Sequence, residues 1–470
     1  MTDNITAAPG AAATRIAHAT AWGAELRATF ALAWPLVIAQ LAQNALATTD
    51  VIMLGWLGPR YLASATLATT FMFPFLIAGM GIVGAAAPLV AQARGARDIK
   101  AIRRIVRQGG WVAILLAIVL VPFLWQIRPM FLALGQDYQA VLLAEQFIHI
   151  GVWSLFPALL MVTLRSLLSA FDATRIILWI TVAGVFFNAA VNYALIFGNF
   201  GFPRLELRGS AIATVSTNVL MFALMLLYVL RHRRFRRFHI LLRFWHPDWS
   251  RFREIFRIGT PIGLTVFAEV SLFTAASLLM GWLGTDELAA HAVVLQISSM
   301  AFMVPLGIGM AATVRVGIAY GRSDPDGVRR AGWTAIVLGV GFMVFSCVLF
   351  LTAGPAIVGL YLNPSELANT NAVALAASFL IVAGVFQLVD GAQVVAAHAL
   401  RGLSDTSVPM VVAIAGYWVL GLPIAYVLGF TLQWRGVGIW IGLAAGLAFV
   451  AVVLVIRFAM RRRLGLMRPR

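Results

Sequence analysis

The sequence is poor in charge: only 11% of its 470 residues are Asp, Glu, Lys or Arg, whereas 61% are hydrophobic. Its single cysteine, Cys347, has no partner, so no disulfide can form within the chain. Soluble domains carry about 25% charged residues, and a mean hydropathy of +0.91 is that of a membrane chain. These scarcities exclude soluble domains, disulfide-bonded secreted scaffolds and disordered chains.

The sequence contains long runs without a charged residue. Eleven intervals exceed the ~18 residues that mark a membrane-spanning helix, and a twelfth, residues 255–282, appears once Glu269 is tolerated. Barrel strands would instead show alternating segments of about ten residues. The sequence therefore predicts an all-α integral membrane protein with twelve transmembrane helices. The eleven intervals are 28–49, 61–93, 108–127, 146–164, 176–203, 209–230, 288–314, 331–365, 367–389, 406–434 and 436–456.

The basic residues, which give a net charge of +17, cluster at alternate loops. Clusters lie between spans 2 and 3, between spans 6 and 7, and at the end of the chain. Because basic residues favour the cytoplasmic side, we expect both termini to be cytoplasmic in a bacterial inner membrane. The basic and aromatic segment 231–249 fits anionic lipid better than nucleic acid, so membrane lipid is the expected partner there. The first 27 residues lack the apolar region of a cleaved signal.

The chain contains an internal repeat. LGWLG at 54–58 returns as MGWLG at 280–284, a shift of 226 residues, and RGSAI at 208–212 resembles RGVGI at 435–439. Three further pairs share the shift of 226: Pro35 and Pro261, Gly95 and Gly321, and Asp98 and Asp324. This predicts two pseudo-symmetric six-helix bundles related by an axis along the membrane normal. The predicted segments are a cytoplasmic tail (1–27), the first bundle (28–231), a basic cytoplasmic linker (232–254), the second bundle (255–459) and a basic cytoplasmic tail (460–470).

Three of the eighteen carboxylates fall within predicted spans: Asp50, Glu269 and Asp390. A charge near the bilayer centre costs at least ~2.5 to 3.5 kcal/mol, so such groups usually serve function. Glu269 is about 18 Å along its helix from Arg257, and Asp390 is similarly far from Arg401, which places both near the midplane. No Arg or Lys is expected at these depths. A mobile cation or a proton is therefore the expected partner of these carboxylates.

Polar side chains accompany the three carboxylates at helical spacing, which predicts one polar cluster in each half. Their oxygens are hard ligands suited to Na⁺ as well as to protons, so a sodium site at Glu269 and Asp390 is expected, and nothing resembles a transition-metal site. The supporting polar residues are Thr265, Gln387 and Gln393 in the second half and Gln43, Thr49, Asn188 and Asn192 in the first. Three aromatic residues are candidates for lining a substrate cleft: Phe267, Phe273 and Phe386.

Several segments resemble those of the multidrug and toxic compound extrusion (MATE) family, in its NorM-like branch. They include PIGLTVFAEVSLFTAASLLMGWLG (261–284), VDGAQVVAAHALRGLSDTSVP (389–409) and NAAVNYALIFG (188–198). The resemblance implies antiport of cationic, amphipathic drugs against Na⁺ or H⁺. It also implies that Glu269, Asp390 and Asp50, the last within TTDVIMLG, are the carboxylates of helices 7, 10 and 1.

Two features depart from relatives in that family, one in helix 10 and one in helix 5. Phe386 stands where some relatives carry a tyrosine, which leaves the ion preference open. Asn188 and Asn192 stand where another branch has an aspartate, which argues against that branch's proton site.

The sequence favours a cation-coupled multidrug efflux antiporter that works by alternating access as a monomer. We identify no catalytic residues and expect no enzyme activity, no nucleic-acid partner and no cofactor beyond the coupling ion. One alternative is a flippase for lipids or lipid-linked oligosaccharides, which would favour a cationic cleft. Another is a membrane receptor or scaffold, for which three deep carboxylates would be an unexplained cost.

Overall fold

A computed structural model describes residues 9–133, 135–242, 244–362 and 370–467, with side chains described from residue 20 onward. Within these ranges the chain forms helices and no strands, and twelve helical segments are long and apolar enough to cross a membrane. The all-α prediction is confirmed. The helices are α1 (Pro9–Leu57), α2 (Pro59–Gly84), α3 (Ala86–Gly95), α4 (Ile99–Trp125), α5 (Ile127–Ala133), α6 (Tyr138–Gly151), α7 (Leu155–Ala170), α8 (Thr174–Phe197), α9 (Glu206–Arg231), α10 (Arg233–Arg236), α11 (Trp249–Leu283), α12 (Thr285–Gly321), α13 (Pro325–Val358), α14 (Thr370–Gly402), α15 (Ser407–Ile414), α16 (Leu422–Tyr426) and α17 (Arg435–Ala459).

Some helices run past the limits set by charge alone. α1 begins at Pro9, inside the predicted tail 1–27. α11 begins at Trp249, inside the predicted linker, because the Asp248 carboxylate accepts a hydrogen bond from the Arg251 N–H (3.3 Å) and caps the helix. Parts of both predicted tails, residues 1–8 and 468–470, lie outside the described residues. The segment limits themselves stay a prediction.

The helices pack as two bundles. In the first half α1 packs against α8, α8 against α9, and α2 against α6. In the second half α14 is central and packs against α12, α13 and α17. The eleventh membrane span, Ser407–Thr431 (span 11), is irregular, with π-helical turns at Ala415–Gly421 and Val427–Thr431 on either side of α16. The halves meet mainly where α1 packs on α12 and α2 on α11.

Close contacts join the halves near the ends that carry the basic loops. A Cβ atom on Gly321 would overlap the carbonyl oxygen of Gln92, and one on Gly95 would overlap that of Ile318. The Gln92 amide also donates to the carbonyl oxygen of Gly402 at 2.9 Å. We call these five residues the basic-side contact. Here the main chains of the two halves approach so closely that only glycine, which has no Cβ atom, leaves room for the facing carbonyl oxygens.

An ion pair near the same ends also crosses between the halves. The Arg315 guanidinium of α12 donates from Nε and Nη2 to the Glu25 carboxylate of α1, at 2.8 and 2.7 Å. Such bidentate pairs are geometrically specific. The pair therefore fixes α1 against α12 in this conformation.

Aspartates that cap helices follow the repeat. The Asp98 carboxylate accepts a hydrogen bond from the Ala101 N–H at 2.9 Å at the start of α4, and Asp324 does the same for the Gly327 N–H at 2.8 Å at the start of α13. Each satisfies one of the amide groups that a helix N-terminus leaves without a partner. The sequence pair that revealed the duplication thus serves the same structural purpose in both halves.

We expect Asp98→Ala to lower the free energy of unfolding by about 1 kcal/mol, because the capping acceptor is lost. Asp98→Asn keeps that acceptor and should unfold at the wild-type temperature. Thermal unfolding in detergent, followed by circular dichroism, would compare the two variants. An alanine variant as stable as the asparagine variant would contradict the capping role.

Candidate functional site

In the first half, Asp50 of α1 lies in a polar cluster with α8 and α9. Asn192 Nδ2 donates to Asp50 Oδ1 at 2.5 Å and also to Asn188 Oδ1 at 3.0 Å. The Thr214 hydroxyl donates to Asp50 Oδ2 at 3.2 Å. Both asparagines are fully buried, so this carboxylate is held by hydrogen-bond donors on two other helices. The structure thus brings Asp50, Asn188 and Asn192 together.

The membership of this cluster differs from the sequence prediction at three positions. Gln43 accepts a hydrogen bond from Arg165 at 3.1 Å, and the Thr49 hydroxyl donates to the Ala45 carbonyl of its own helix at 2.9 Å. Thr214 was not predicted. Its signal was the i, i+4 spacing of Thr214 and Asn218, which places two polar groups on one helix face.

In the second half, Glu269 of α11 and Asp390 of α14 interact electrostatically. Asp390 is 5% exposed, and its Oδ1 atom is buried without a hydrogen-bond partner among the described residues. Glu269 is partly exposed. Two carboxylates from different helices, one with an unsatisfied oxygen, form a place where a cation would be stabilised.

Amide side chains of α14 connect this pair to its surroundings. Gln387 accepts a hydrogen bond from the Ser346 hydroxyl at 3.2 Å and donates to the Ser298 carbonyl at 3.2 Å. Gln393 donates to the Tyr417 hydroxyl at 2.8 Å, while its own Oε1 is buried without a partner in the described structure. The amides therefore tie α14 to α12, α13 and span 11.

Tyr417 is a site residue that the sequence did not reveal. It is fully buried in the π-helical turn of span 11 and interacts electrostatically with Glu269 and Asp390. π-helical turns are rare and are frequent at functional sites. Nothing in the apolar run around Tyr417 marks the turn, so no pattern of residues distinguishes Tyr417 from its neighbours.

A small cavity lies beside the second-half site on the side of the basic loops. Its lining includes Thr265, Gln393, Arg401 and Thr406. The Thr265 hydroxyl donates to the Pro261 carbonyl at 2.8 Å, which leaves its oxygen lone pairs available to a ligand. The cavity therefore places hydroxyl and amide oxygen atoms near the carboxylate pair.

Two arginines correct the expectation that no cation reaches these depths. Arg401 lies near the end of α14, yet it interacts electrostatically with Glu269. Arg165 of α7 reaches Gln40 and Gln43 of α1. The prediction was wrong because it placed each charge at its Cα position, whereas the long side chain of arginine can carry the guanidinium toward the middle of the helix bundle.

The three predicted aromatic residues occupy different settings. Phe267 is 36% exposed and meets Phe75 of the first half, with ring centroids 6.2 Å apart. Phe386 is 2% exposed and packs between Phe273 and Trp440, at 6.2 and 5.6 Å. Phe267 therefore faces the other half, whereas Phe386 supports the helix that carries Asp390.

Within the described ranges, no group of three or more His, Cys, Asp or Glu residues could hold a metal ion. The carboxylate pair at Glu269 and Asp390 offers two acidic side chains with neutral oxygens around them. Such a donor set suits a monovalent cation or protons rather than a tightly held transition metal.

Comparison with known proteins gives consistent matches along the chain. The MatE family profile matches residues 35–194 and 261–427, one stretch in each half. The Probable multidrug resistance protein NorM of Brucella suis biovar 1 (strain 1330) is 46% identical over 452 residues, 96% of each protein. The protein of the same name from Rhizobium meliloti (strain 1021) is 44% identical over 437 residues, 93% of this chain and 94% of its own length.

A solved structure shares the fold. The crystal structure of the eukaryotic MATE transporter AtDTX14 matches with a TM-score of 0.83 over 95% of this chain and 100% of its own. Its sequence identity of 23% limits that likeness to architecture. The predicted arrangement of two pseudo-symmetric six-helix bundles is confirmed.

Proposed function

The chain belongs to the multidrug and toxic compound extrusion (MATE) family, and from that membership we propose that it exports cationic, amphipathic drugs and toxins by antiport against Na⁺ or H⁺. It is a multi-pass membrane protein, and its relatives are named for multidrug resistance.

One observation carries it: inside the second bundle Asp390 has a buried Oδ1 atom without a hydrogen-bond partner among the described residues, within electrostatic range of the Glu269 carboxylate. Among the described residues neither forms an ion pair within 4.0 Å, although Arg401 acts on Glu269 from farther away. Charge at this depth is costly unless it is compensated. A cation or proton would neutralise these carboxylates when it binds in one step of a transport cycle, and it would leave in another step. Asp50, held by Asn192 and Thr214, is either a second such site or a contact for the drug.

Competition at these carboxylates would couple the two fluxes. A cationic drug and a coupling cation both neutralise the same acidic groups, so each should bind best when the other is absent. Mutual exclusion is a positive, unfavourable coupling free energy between two ligands, and it is reciprocal. Exchange of one coupling cation for one singly charged drug moves no net charge, so the concentration gradient of the ion would drive it. Each further cation that enters per drug molecule would add about 2.3 kcal/mol across 100 mV.

Alternating access would carry the exchanged ligands across the membrane. We propose that the two bundles rock about their shared interface, and that the basic-side contact is the closed gate of an outward-open state. The positive-inside rule supports cytoplasmic termini and a cytoplasmic linker at 232–254 in a bacterial inner membrane. Labelling of cysteines introduced into the linker from the outside of intact cells would contradict that orientation.

The coupling ion is tested in proteoliposomes. Purified protein is reconstituted, and uptake of a fluorescent cationic drug is followed under an imposed Na⁺ gradient and, separately, an imposed pH gradient at the same membrane potential. The proposal requires uptake to follow one of these gradients. Uptake that ignores both would reject antiport, while transfer of labelled lipid in the same vesicles would favour the flippase alternative. That alternative favours a cationic cleft, and two cations inside the bundles fit it: Arg165, which contacts Gln40 and Gln43, and Arg401, which interacts electrostatically with Glu269.

We expect drug affinity to fall when the coupling cation saturates its site. Binding isotherms in detergent should show weaker binding of a permanently cationic drug at high Na⁺ or at low pH, because neutralised carboxylates attract the drug less. Choline at the same ionic strength is the control for screening by salt. A drug affinity unchanged by both Na⁺ and pH would mean that competition is not the coupling device.

A further inference from the structure

Arg165 is a positive charge in the first half that no described carboxylate pairs with. Its Nη1 and Nη2 atoms donate to the side-chain oxygens of Gln43 and Gln40, at 3.1 and 3.0 Å. Its Nε is buried without a hydrogen-bond partner among the described residues. Two neutral amides solvate the charge, but they do not neutralise it. An arginine within a membrane bundle usually has an anionic partner or a functional role.

The position of this cluster relates it to the proposed cleft. Val37 of α1 packs against Gly307 of α12, across the interface between the halves. Gln40 and Gln43 follow on α1 by about one and two turns, away from the basic-loop end. The spacing along α1 places Gln40, Gln43 and Asp50 on one face of the helix. The arginine and its two glutamines therefore lie just beyond this contact between the halves, on the side away from the basic loops.

The repeat adds a relation between the two halves. The shift of 226 residues that matches LGWLG to MGWLG also matches Gln43 to Glu269. Equivalent positions in the two bundles lie at the same depth on opposite sides of the pseudo-symmetry axis. One wall thus bears an acidic side chain at this depth, and the other bears an amide bonded to a guanidinium. A molecule lying across the axis would meet negative charge on one side and positive charge on the other.

We propose that Arg165, Gln40 and Gln43 form a subsite for the carboxylate group of zwitterionic substrates. The inference rests on the proposed function: the ammonium end of such a substrate faces the acidic residues, and its carboxylate end accepts hydrogen bonds from Arg165. Guanidinium groups bind carboxylates through charge-assisted, often bidentate hydrogen bonds. The two glutamines hold the guanidinium in place and each still carries an NH₂ donor.

The test uses two probes that differ only at the carboxylate: a fluorescent amphipathic amine that carries a carboxylic acid, and its methyl ester. Dissociation constants are measured by fluorescence polarisation in a neutral detergent free of anionic lipid, so that lipid phosphate cannot occupy the subsite. Arg165→Gln should weaken binding of the acid by about tenfold or more and leave that of the ester unchanged, because hydrogen bonds to a charged group are lost. Arg165→Lys, which keeps the charge, should retain part of the difference.

Arg208→Gln is the matched control. Arg208 is also bonded to a glutamine, Gln146 at 3.1 Å, but in an exposed setting, so neither probe should respond. Equal losses for both probes in Arg165→Gln, or no loss for either, would overturn the subsite. If that variant does not fold, the wild-type protein decides, because an ester bound about tenfold more tightly than the acid contradicts attraction by a guanidinium. An ester that does not bind at all would instead refute the proposed function.

Discussion

Drug export should fall to the background of empty vesicles when Glu269 is replaced by glutamine or Asp390 by asparagine. Each substitution removes the charge and keeps the side-chain volume, so packing is preserved while the attraction for a coupling cation is lost. Because the two carboxylates act on each other, we expect either single change to abolish coupled export. Gradient-driven uptake of a cationic drug into proteoliposomes measures the effect.

Glu145→Gln provides a matched control for these variants. Glu145 is also a largely buried carboxylate. It belongs to the first bundle, at the end away from the basic loops, and its Oε2 atom lies 3.8 Å from Arg128 Nη1. Its loss should leave export near the wild-type rate. Elution as a monodisperse peak in size-exclusion chromatography shows that each variant is folded. Normal export by a folded Glu269→Gln or Asp390→Asn protein would remove these residues from the mechanism.

The second large effect is expected at the basic-side contact. A methyl group on Gly321 would overlap the main-chain carbonyl oxygen of Gln92, and main-chain atoms cannot rotate away as a side chain can. Gly321→Ala should therefore keep the halves apart at this end and reduce export to a small fraction of the wild-type rate. Gly341→Ala is the control, because a Cβ atom there meets nothing within 4 Å.

Distance measurements separate a gating defect from misfolding. Spin labels on Ala96→Cys and Arg322→Cys, in a Cys347→Ser background, report the separation of the halves by electron paramagnetic resonance. Both labelling positions are exposed. The Gly321→Ala protein should show longer label distances than the wild type. Unchanged distances together with full export would mean that this contact does not close the gate.

Much of the fold could be predicted because two strong signals agree. Uncharged runs fix the number of helices, since burying charge in lipid is costly, and the repeat around LGWLG and MGWLG fixes their grouping. The ends of the helices were harder to predict from the sequence. The start of α11 at Trp249 depends on a local cap by Asp248, which hydropathy does not register.

The candidate site could be predicted only where its residues are rare. Asp50, Glu269 and Asp390 are conspicuous because acids are scarce in spans. Thr214 and Tyr417 are not, since hydroxyl groups commonly bond to their own helix and give no sign of a partner elsewhere. Which groups of α9 and span 11 face the acids depends on how neighbouring helices are rotated, and this is a property of packing rather than of sequence spacing.

The paired glycines have a consequence for leakage. Gly95 and Gly321 are equivalent in the repeat, and each closes against the opposite bundle at the same end of the molecule. Rigid bundles cannot release one of these contacts while the other stays closed, so both should open in a single, cooperative step. A cooperative gate spends little time half-open. Few ions would then slip down their gradient without a drug molecule moving in exchange.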